Sequence, residues 1–231
     1  MTSFALKIIA IIAMTIDHAG LLLFDDNIYM RIIGRLTMPI MAYFAAEGVR
    51  HTRNISRYMM RLLVFALISS SPVLLLFFGY NLGSFMVFNV IYTILFGVVG
   101  LHLYERYRDK HYKILMLILP AMAAFALKTD WSFAGVIFIY AFYFAGKDRT
   151  KTAVYFTAAA IINPAIHTAL YLTERISYGK FVFHAPVQLG VLAALPLIFL
   201  HNGRQGVRAK YLFYIFYPLH MLVLWLISEF V

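Results

Sequence analysis

The chain of 231 residues has no cysteine and few charged residues. Without cysteine there is no disulfide, no thiolate metal ligand and no thiol nucleophile. Charged residues make up 13% of the chain, whereas hydrophobic residues reach 63%. Ordinary soluble domains are about 45–50% apolar and about 25% charged. This composition excludes a typical soluble domain and predicts a protein embedded in a lipid bilayer.

Long apolar segments recur from one end of the chain to the other. A helix needs about 20 such residues to cross the hydrocarbon of a bilayer. The pattern predicts an all-α, polytopic membrane helix bundle with about nine transmembrane helices, forming a single domain over residues 1–231. The predicted spans are Phe4–Phe24, Tyr29–Gly48, Leu62–Phe78, Phe85–Leu103, Ile114–Leu127, Trp131–Gly146, Thr152–Leu172, Pro186–Leu200 and Tyr211–Phe230. The fifth span is short and contains Pro120, so it is also compatible with a tilted or re-entrant segment.

The basic residues are concentrated in alternate loops between these spans. The formal net charge is +10, but fourteen basic residues lie in one set of loops and three in the opposite set. Such a bias marks the cytoplasmic side of a membrane protein. We therefore expect a cytoplasmic N-terminus and no nucleic-acid partner.

The first two predicted spans contain four ionisable residues: Asp17, His18, Arg31 and Arg35. An Asp at the bilayer centre costs about 2.5–3.5 kcal/mol on insertion scales, so ionisable residues at that depth are functional by default. At a rise of about 1.5 Å per residue, Asp17 and Arg35 have similar heights on adjacent antiparallel helices. We therefore expect these polar side chains to converge on a water-accessible hollow, with Asp17 and Arg35 at pairing distance.

Further polar residues follow helical spacing. Lys7 and His18 are eleven residues apart, or about three turns, and so share a face of the first helix. Near the cytoplasmic ends we expect Glu47 to form a structural ion pair with Lys7 or Arg50. A stripe of guanidinium groups after the second span predicts an amphipathic cytoplasmic helix suited to binding phosphate. The stripe consists of Arg50, Arg53, Arg57 and Arg61.

The residues just described resemble the TraX family, membrane proteins associated with N-terminal acetylation of conjugative pilin. The matching stretches are Leu6–Gly20, Arg31–Ile40, Glu47–Asn54, Phe65–Ile68, Asp130–Gly135 and Lys210–His220. The chain is also distantly similar to integral-membrane acyltransferases that acetylate surface sugars, and to the lysosomal heparan glucosaminide acetyltransferase. In the sugar acetylases an essential His follows a basic residue by eleven positions on the first helix, a spacing that Lys7 and His18 reproduce, with Lys where Arg is commoner.

The resemblance implies an acyltransferase of the bacterial inner membrane. Its acyl donor would be acetyl-CoA, bound from the cytoplasm, and its acceptor an amine or hydroxyl of a pilin-like protein or surface glycan. His18 would be a general base or accept the acyl group itself; the alternative is an interhelical hydrogen bond. Asp17 would orient or stabilise an imidazole, or form a structural ion pair with Arg35. Arg31 and Arg35 would stabilise oxyanion charge or bind the pyrophosphate of the donor, or only pack helices.

The remaining candidates serve the two substrates. Lys7 and Arg53, Arg57 and Arg61 are expected to bind the nucleotide and phosphates of the donor, although anionic lipid also attracts such a row. Three further residues are candidates for binding the acceptor, with helix capping or interhelical hydrogen bonding as the alternatives: Asn89, Asp130 and His220. No set of His, Asp and Glu has the spacing of a metal site.

Two other classes of function fit the same residues. A proton-coupled transporter or flippase would use Asp17, His18, Arg31 and Arg35 as a relay or substrate site within the membrane. The absence of internal repeats argues against common transporter folds. In an assembly factor the polar groups would only pack helices.

Overall fold

The computed structural model describes residues 1–70, 89–173, 175, 177, 187–207, 211–228 and 230. Within these residues the fold is all-helical, as predicted, with no β-strand. The helices are α1 (Ser3–Leu23), α2 (Ile28–Gly34), α3 (Thr37–His51), α4 (Ile55–Ser69), α5 (Val90–Arg106), α6 (Leu115–Ala126), α7 (Ser132–Ala145), α8 (Arg149–Leu172), α9 (Ala194–Phe199) and α10 (Leu212–Ser228), with a 3₁₀ turn at Gly190–Ala193.

Short polar side chains define where many of these helices begin. The N-cap side chain accepts a hydrogen bond from a backbone N–H of the first turn, which satisfies a donor that has no partner inside the helix. These caps precede α1, α2, α4, α5 and α8, and they are Thr2, Asn27, Asn54, Asn89 and Asp148. Helix boundaries in this chain therefore follow local chemistry as well as apolar length.

Five predicted spans correspond closely to observed helices, namely those that match α1, α6, α7, α8 and α10. The third, fourth and eighth are seen in part, because residues 71–88 and 178–186 lie outside the described residues. Among the described helices, α1 alone combines the length and apolar character needed to cross a membrane. Shorter apolar helical segments occupy Leu115–Ala126, Ser132–Ala145, Val187–Phe199 (which includes the 3₁₀ turn and α9) and Tyr214–Ser228. The polytopic membrane arrangement stays a prediction.

The second predicted span is wrong as a single helix. The segment 29–48 is divided between α2 and α3, with a turn at Arg35 and Leu36. Gly34 ends α2, and glycine is a poor helix former. Pro39 then lies in the first turn of α3, where its missing N–H costs no hydrogen bond inside the helix.

The predicted helix carrying the four arginines is also wrong. Arg50 lies in α3 and Arg53 in the turn that follows, whereas Arg57 and Arg61 lie in α4. The break has a local cause, because Asn54 caps α4 by accepting a hydrogen bond from the N–H of Arg57 at 2.9 Å. The four guanidinium groups therefore do not share one helix face.

The chain forms two compact units. The first comprises residues 1–41 and 145–231, and the second comprises residues 42–144. In the first unit α1 packs against both α2 and α10, with Leu6, Ala10 and Met14 buried. In the second unit α5 packs against α4 and α6, with Val98 and Leu101 fully buried. The candidate residues of α1, α2 and α10 therefore belong to one unit.

Candidate active site

A histidine pair joins the two ends of the chain within the first unit. Nδ1 of His18 in α1 lies 2.8 Å from Nε2 of His220 in α10. The other ring nitrogen of His220, Nδ1, lies 2.8 Å from the carbonyl oxygen of Phe216, one turn earlier in α10. His220 is 5% exposed, whereas His18 is partly buried. Both nitrogens of His220 are engaged, and Nδ1 of His18 is engaged with it.

Aromatic rings surround this pair. The ring of His220 stacks on Phe216 with 4.9 Å between centroids and 5° between planes. Tyr217 meets His220 and His18 at steeper angles, with centroid separations of 5.7 and 6.4 Å. Close packing against these rings leaves the imidazole of His220 few orientations. His18 is thus held by a fixed partner.

Asp17, the neighbour of His18, lies in an ion-pair network with α2. Nη1 of Arg31 lies 3.0 Å from Oδ2 of Asp17, and both side chains are less than a fifth exposed. The same guanidinium places Nε 3.2 Å from Oδ1 of Asp26, in the turn before α2. One cation therefore joins two carboxylates.

The partner expected for Asp17 needs correction. The salt bridge is made by Arg31, one turn before Arg35. Gly34 explains why α2 presents Arg31 to Asp17. The two helices approach so closely there that a Cβ on Gly34 would overlap the carboxyl group of Asp17. Arg31 precedes Gly34 by three residues and so shares its face of α2. Arg35 is the C-cap of α2 and lies near enough for its charge to act on Asp17.

One carboxylate oxygen of Asp17 is enclosed by the protein. This oxygen, Oδ1, is buried and has no hydrogen-bond partner among the described residues. A carboxylate oxygen buried without a donor is costly, and in known proteins such groups often mark functional sites. Lys7, eleven residues before His18 in α1, is partly buried. The first unit thus brings together His18, Asp17, Arg31 and His220, with Arg35 nearby.

The other candidates lie in the second unit. Glu47 pairs with Arg50, one of its two expected partners, and Oε2 of Glu47 also lies 3.2 Å from Nε2 of His51. Arg50 donates in addition to the carbonyl oxygens of Phe142 and Tyr143, in the last turn of α7. Cations stabilise helix C-termini in this way. The geometry agrees with the structural role expected for Glu47.

Asn89 caps a helix and forms interhelical hydrogen bonds, the alternative to binding an acceptor. Its side-chain oxygen accepts from the N–H of Ile91 at 3.0 Å. Its Nδ2 donates to the carbonyl of Ala66 at 3.0 Å and to Oγ of Ser70 at 2.7 Å. Its amide therefore caps α5 and ties α5 to α4. Asp130 is exposed, and its backbone carbonyl accepts from Oγ1 of Thr93 at 2.9 Å.

The remaining arginines sit at the start of α4. Arg53 and Arg57 are exposed, whereas Arg61 is partly buried and lies over the ring of Tyr58 at 5.2 Å. Exposed guanidinium groups are available to an anionic ligand, but nothing in their geometry selects a nucleotide over a lipid headgroup.

Sequence reasoning missed the contact between His18 and His220. Both histidines were candidates, but 202 residues separate them, and no local periodicity relates positions so far apart. The available signal was that each is an ionisable residue in the middle of an apolar segment. In the described parts of the chain, no group of three or more His, Asp or Glu side chains is arranged to hold a metal ion.

The described fold and site define an all-helical protein that packs ionisable side chains between apolar helices. A family model, TraX protein, matches residues 3–228, so the chain belongs to the TraX family. The probable fimbrial assembly protein FimC, serogroup H1, of Dichelobacter nodosus is 32% identical over 242 residues, which cover 96% of this chain and 94% of that protein. The uncharacterized protein RP591 of Rickettsia prowazekii (strain Madrid E) is 58% identical over 40 residues, 17% of this chain and 16% of that protein. No solved structure shows significant similarity.

Proposed function

We propose that this protein is a membrane-embedded acyltransferase that moves an acetyl group from acetyl-CoA to an amine or hydroxyl, with His18 as general base. The observation that carries the proposal is the geometry of His18. Its Nδ1 is engaged by His220, while Nε2 makes no hydrogen bond within the described residues. An imidazole fixed through one nitrogen and open at the other is the usual form of a histidine base.

The reaction keeps protons in balance. The acceptor nitrogen or oxygen attacks the carbonyl carbon of the thioester and passes its proton to Nε2 of His18. A C–N or C–O bond forms, and the C–S bond breaks as the tetrahedral intermediate collapses. The proton on His18 then moves to the departing sulfur, which leaves as the free thiol. No other reactant is needed, and His18 returns to its starting state.

The ion-pair network supplies electrostatic support for this chemistry. Negative charge develops on the thioester oxygen during attack, and cations held in a water-poor site stabilise it strongly. Arg31 is held by Asp17 and Asp26, and Arg35 lies close to the same carboxylate. In this proposal they provide that charge. Lys7, which lies on the same helix as His18, is proposed to bind a phosphate of the donor.

Composition and family membership support the proposed setting of the reaction. The chain is proposed to lie in the bacterial inner membrane as a multi-pass bundle with a cytoplasmic N-terminus, so that the donor enters from the cytoplasm. A pilin-like protein is the acceptor class that the family favours, and the D. nodosus relative is named as a fimbrial assembly protein. A surface glycan is the other acceptor class.

Acyl transfer by purified protein in nanodiscs tests the proposal. With acetyl-CoA and a peptide carrying a free N-terminus, His18→Ala should lower the rate by about 10²–10⁴-fold, the usual contribution of a general base. Thermal stability in the presence of CoA should rise equally for the variant and the parent, because a ligand that binds the folded state stabilises it. His111→Ala is the matched control, since His111 is exposed and has no proposed role.

Two outcomes would contradict the proposal. The first is full transfer activity in His18→Ala. The second is the lack of any thermal shift with millimolar CoA or acetyl-CoA together with proton-coupled uptake in proteoliposomes, which would favour the transporter class instead. The acceptor can be sought by mass spectrometry of surface proteins and glycans from cells with and without the gene, as an acetyl mark lost on deletion.

A further inference from the structure

The hydrogen bonds around His220 fix where its protons lie. A carbonyl oxygen only accepts hydrogen bonds, so Nδ1 of His220, at 2.8 Å from the carbonyl of Phe216, must carry the proton. In a neutral ring the other nitrogen is then an acceptor. Nε2 of His220 therefore presents a lone pair toward His18.

The same argument assigns the proton on the ring of His18. Its Nδ1 lies 2.8 Å from that lone pair, so Nδ1 of His18 is the donor and carries the proton. A neutral His18 then has its lone pair on Nε2. The chain of bonds runs from His18 through His220 to the Phe216 carbonyl, with each proton directed toward Phe216. Only this pair of neutral tautomers satisfies both contacts.

We propose that His220 is a positioning residue that holds His18 in the Nδ1-protonated tautomer, so that Nε2 is free to accept a proton from the acceptor. This inference rests on the proposed acyltransferase function for its catalytic part. When Nε2 takes up a proton, the hydrogen bond from Nδ1 to His220 becomes charge-assisted and strengthens. His220 thus stabilises the charged form of His18 without touching substrate, as the third group of a catalytic triad does.

The packing supports a fixed role for His220. Its ring is 5% exposed and stacked on Phe216, the residue whose carbonyl it binds. With both ring nitrogens engaged, His220 has no nitrogen left to bind an acceptor in this arrangement. The geometry therefore separates His220 from the acceptor-binding role predicted from sequence.

Two variants test the inference. Glutamine places an amide oxygen close to the position of Nε2, so His220→Gln keeps an acceptor for Nδ1 of His18. His220→Leu fills similar space with no acceptor. We expect His220→Gln to retain acyl transfer within about tenfold and His220→Leu to lose about 10²-fold or more. The loss should fall on kcat, with the KM for acetyl-CoA unchanged. Phe216→Leu keeps the backbone carbonyl and is the matched control for lost packing.

The tautomer of His18 can be measured directly, and it would not change if His220 had only a structural role. In ¹⁵N-histidine-labelled protein, NMR distinguishes a protonated ring nitrogen from a bare one, and the signals of His18 are assigned from those lost in His18→Ala. We expect Nδ1 of His18 to be protonated in the parent and in His220→Gln, and Nε2 to gain proton occupancy in His220→Leu. If His220→Leu does not fold, the parent and His220→Gln spectra still decide the question.

The outcomes separate this inference from the proposed function. A His18 of the parent protein protonated on Nε2 and bare on Nδ1 overturns the inference, whatever the acyl-transfer assay shows. Equal rates in His220→Leu and the parent overturn it too, provided that His18→Ala is inactive. If the NMR result holds but no variant affects transfer, the tautomer assignment stands and the proposed role of His18 as general base fails.

Discussion

Arg31 serves two carboxylates that lie on different segments of the first unit. Asp17 is on α1 and Asp26 is in the turn before α2. One guanidinium reaches both carboxylates through different nitrogens, Nη1 for Asp17 and Nε for Asp26. The charge of Arg31 also acts on His18, the residue that follows Asp17 in α1. A neighbouring helix thus fixes the electrostatics around the histidine.

A double-mutant cycle on Arg31 and Asp17 measures this pairing. Removing one partner of a buried pair leaves an uncompensated charge and costs about 3–5 kcal/mol, reduced here by partial exposure. Arg31→Gln should therefore lower the melting temperature more in the parent than in an Asp17→Asn background. Double-mutant coupling energies between contacting residues are typically about 0.5–3 kcal/mol. Additive effects would show that the two residues do not interact.

The amide side chain of Asn89 connects helix α5 to the end of helix α4. Asn89 caps α5 with its oxygen and donates two hydrogen bonds to α4 through its nitrogen. Asn54 caps α4 in the same way, because its side-chain oxygen accepts a hydrogen bond from the N–H of Arg57. Asn54 is exposed, however. The two caps share their local chemistry and differ in tertiary contacts.

Replacing each asparagine with aspartate separates these effects. Asp is as good an N-cap as Asn, so Asn54→Asp should change the melting temperature little. Asn89→Asp should destabilise the protein by about 1–3 kcal/mol or more, since it loses both donors and sets a buried carboxylate against a carbonyl oxygen. Circular dichroism of the two variants in detergent during heating provides the comparison. Equal stability would mean that the amide of Asn89 does not tie α4 to α5.

The local sequence predicted the positions of the helices better than the breaks between them. The long apolar segments of α1, α7 and α10 gave bounds within a few residues, because length and composition determine them. The break between α2 and α3 lies beside Gly34, which is a weak local signal for a helix end. The close approach of Gly34 to Asp17 is a tertiary contact that no local pattern encodes. The choice of Arg31 over Arg35 follows from the same contact. The pairing of His18 with His220 needed the packing of α1 on α10.

The membrane arrangement depends on the alternation of basic loops along the whole chain. Ser56, near the start of α4, is exposed and adjoins a cluster of arginines. Tyr29, near the start of α2, is 75% exposed and follows the acidic turn at Asp25 and Asp26. Basic loops face the cytoplasm, so these two positions are predicted to lie on opposite sides of the bilayer.

Cysteine labelling tests this topology directly, because the chain has no cysteine of its own. In intact inner-membrane vesicles of right-side-out orientation, a membrane-impermeant maleimide should label Tyr29→Cys and leave Ser56→Cys unlabelled. Inverted vesicles should reverse the pattern, and detergent should expose both positions. If both cysteines react from one face, the segment of α2 and α3 does not cross the bilayer, and the predicted depth of His18 loses its basis. A donor held in the cytoplasm could then not meet an outer acceptor at His18, and the acceptor would have to be sought on the donor's own side.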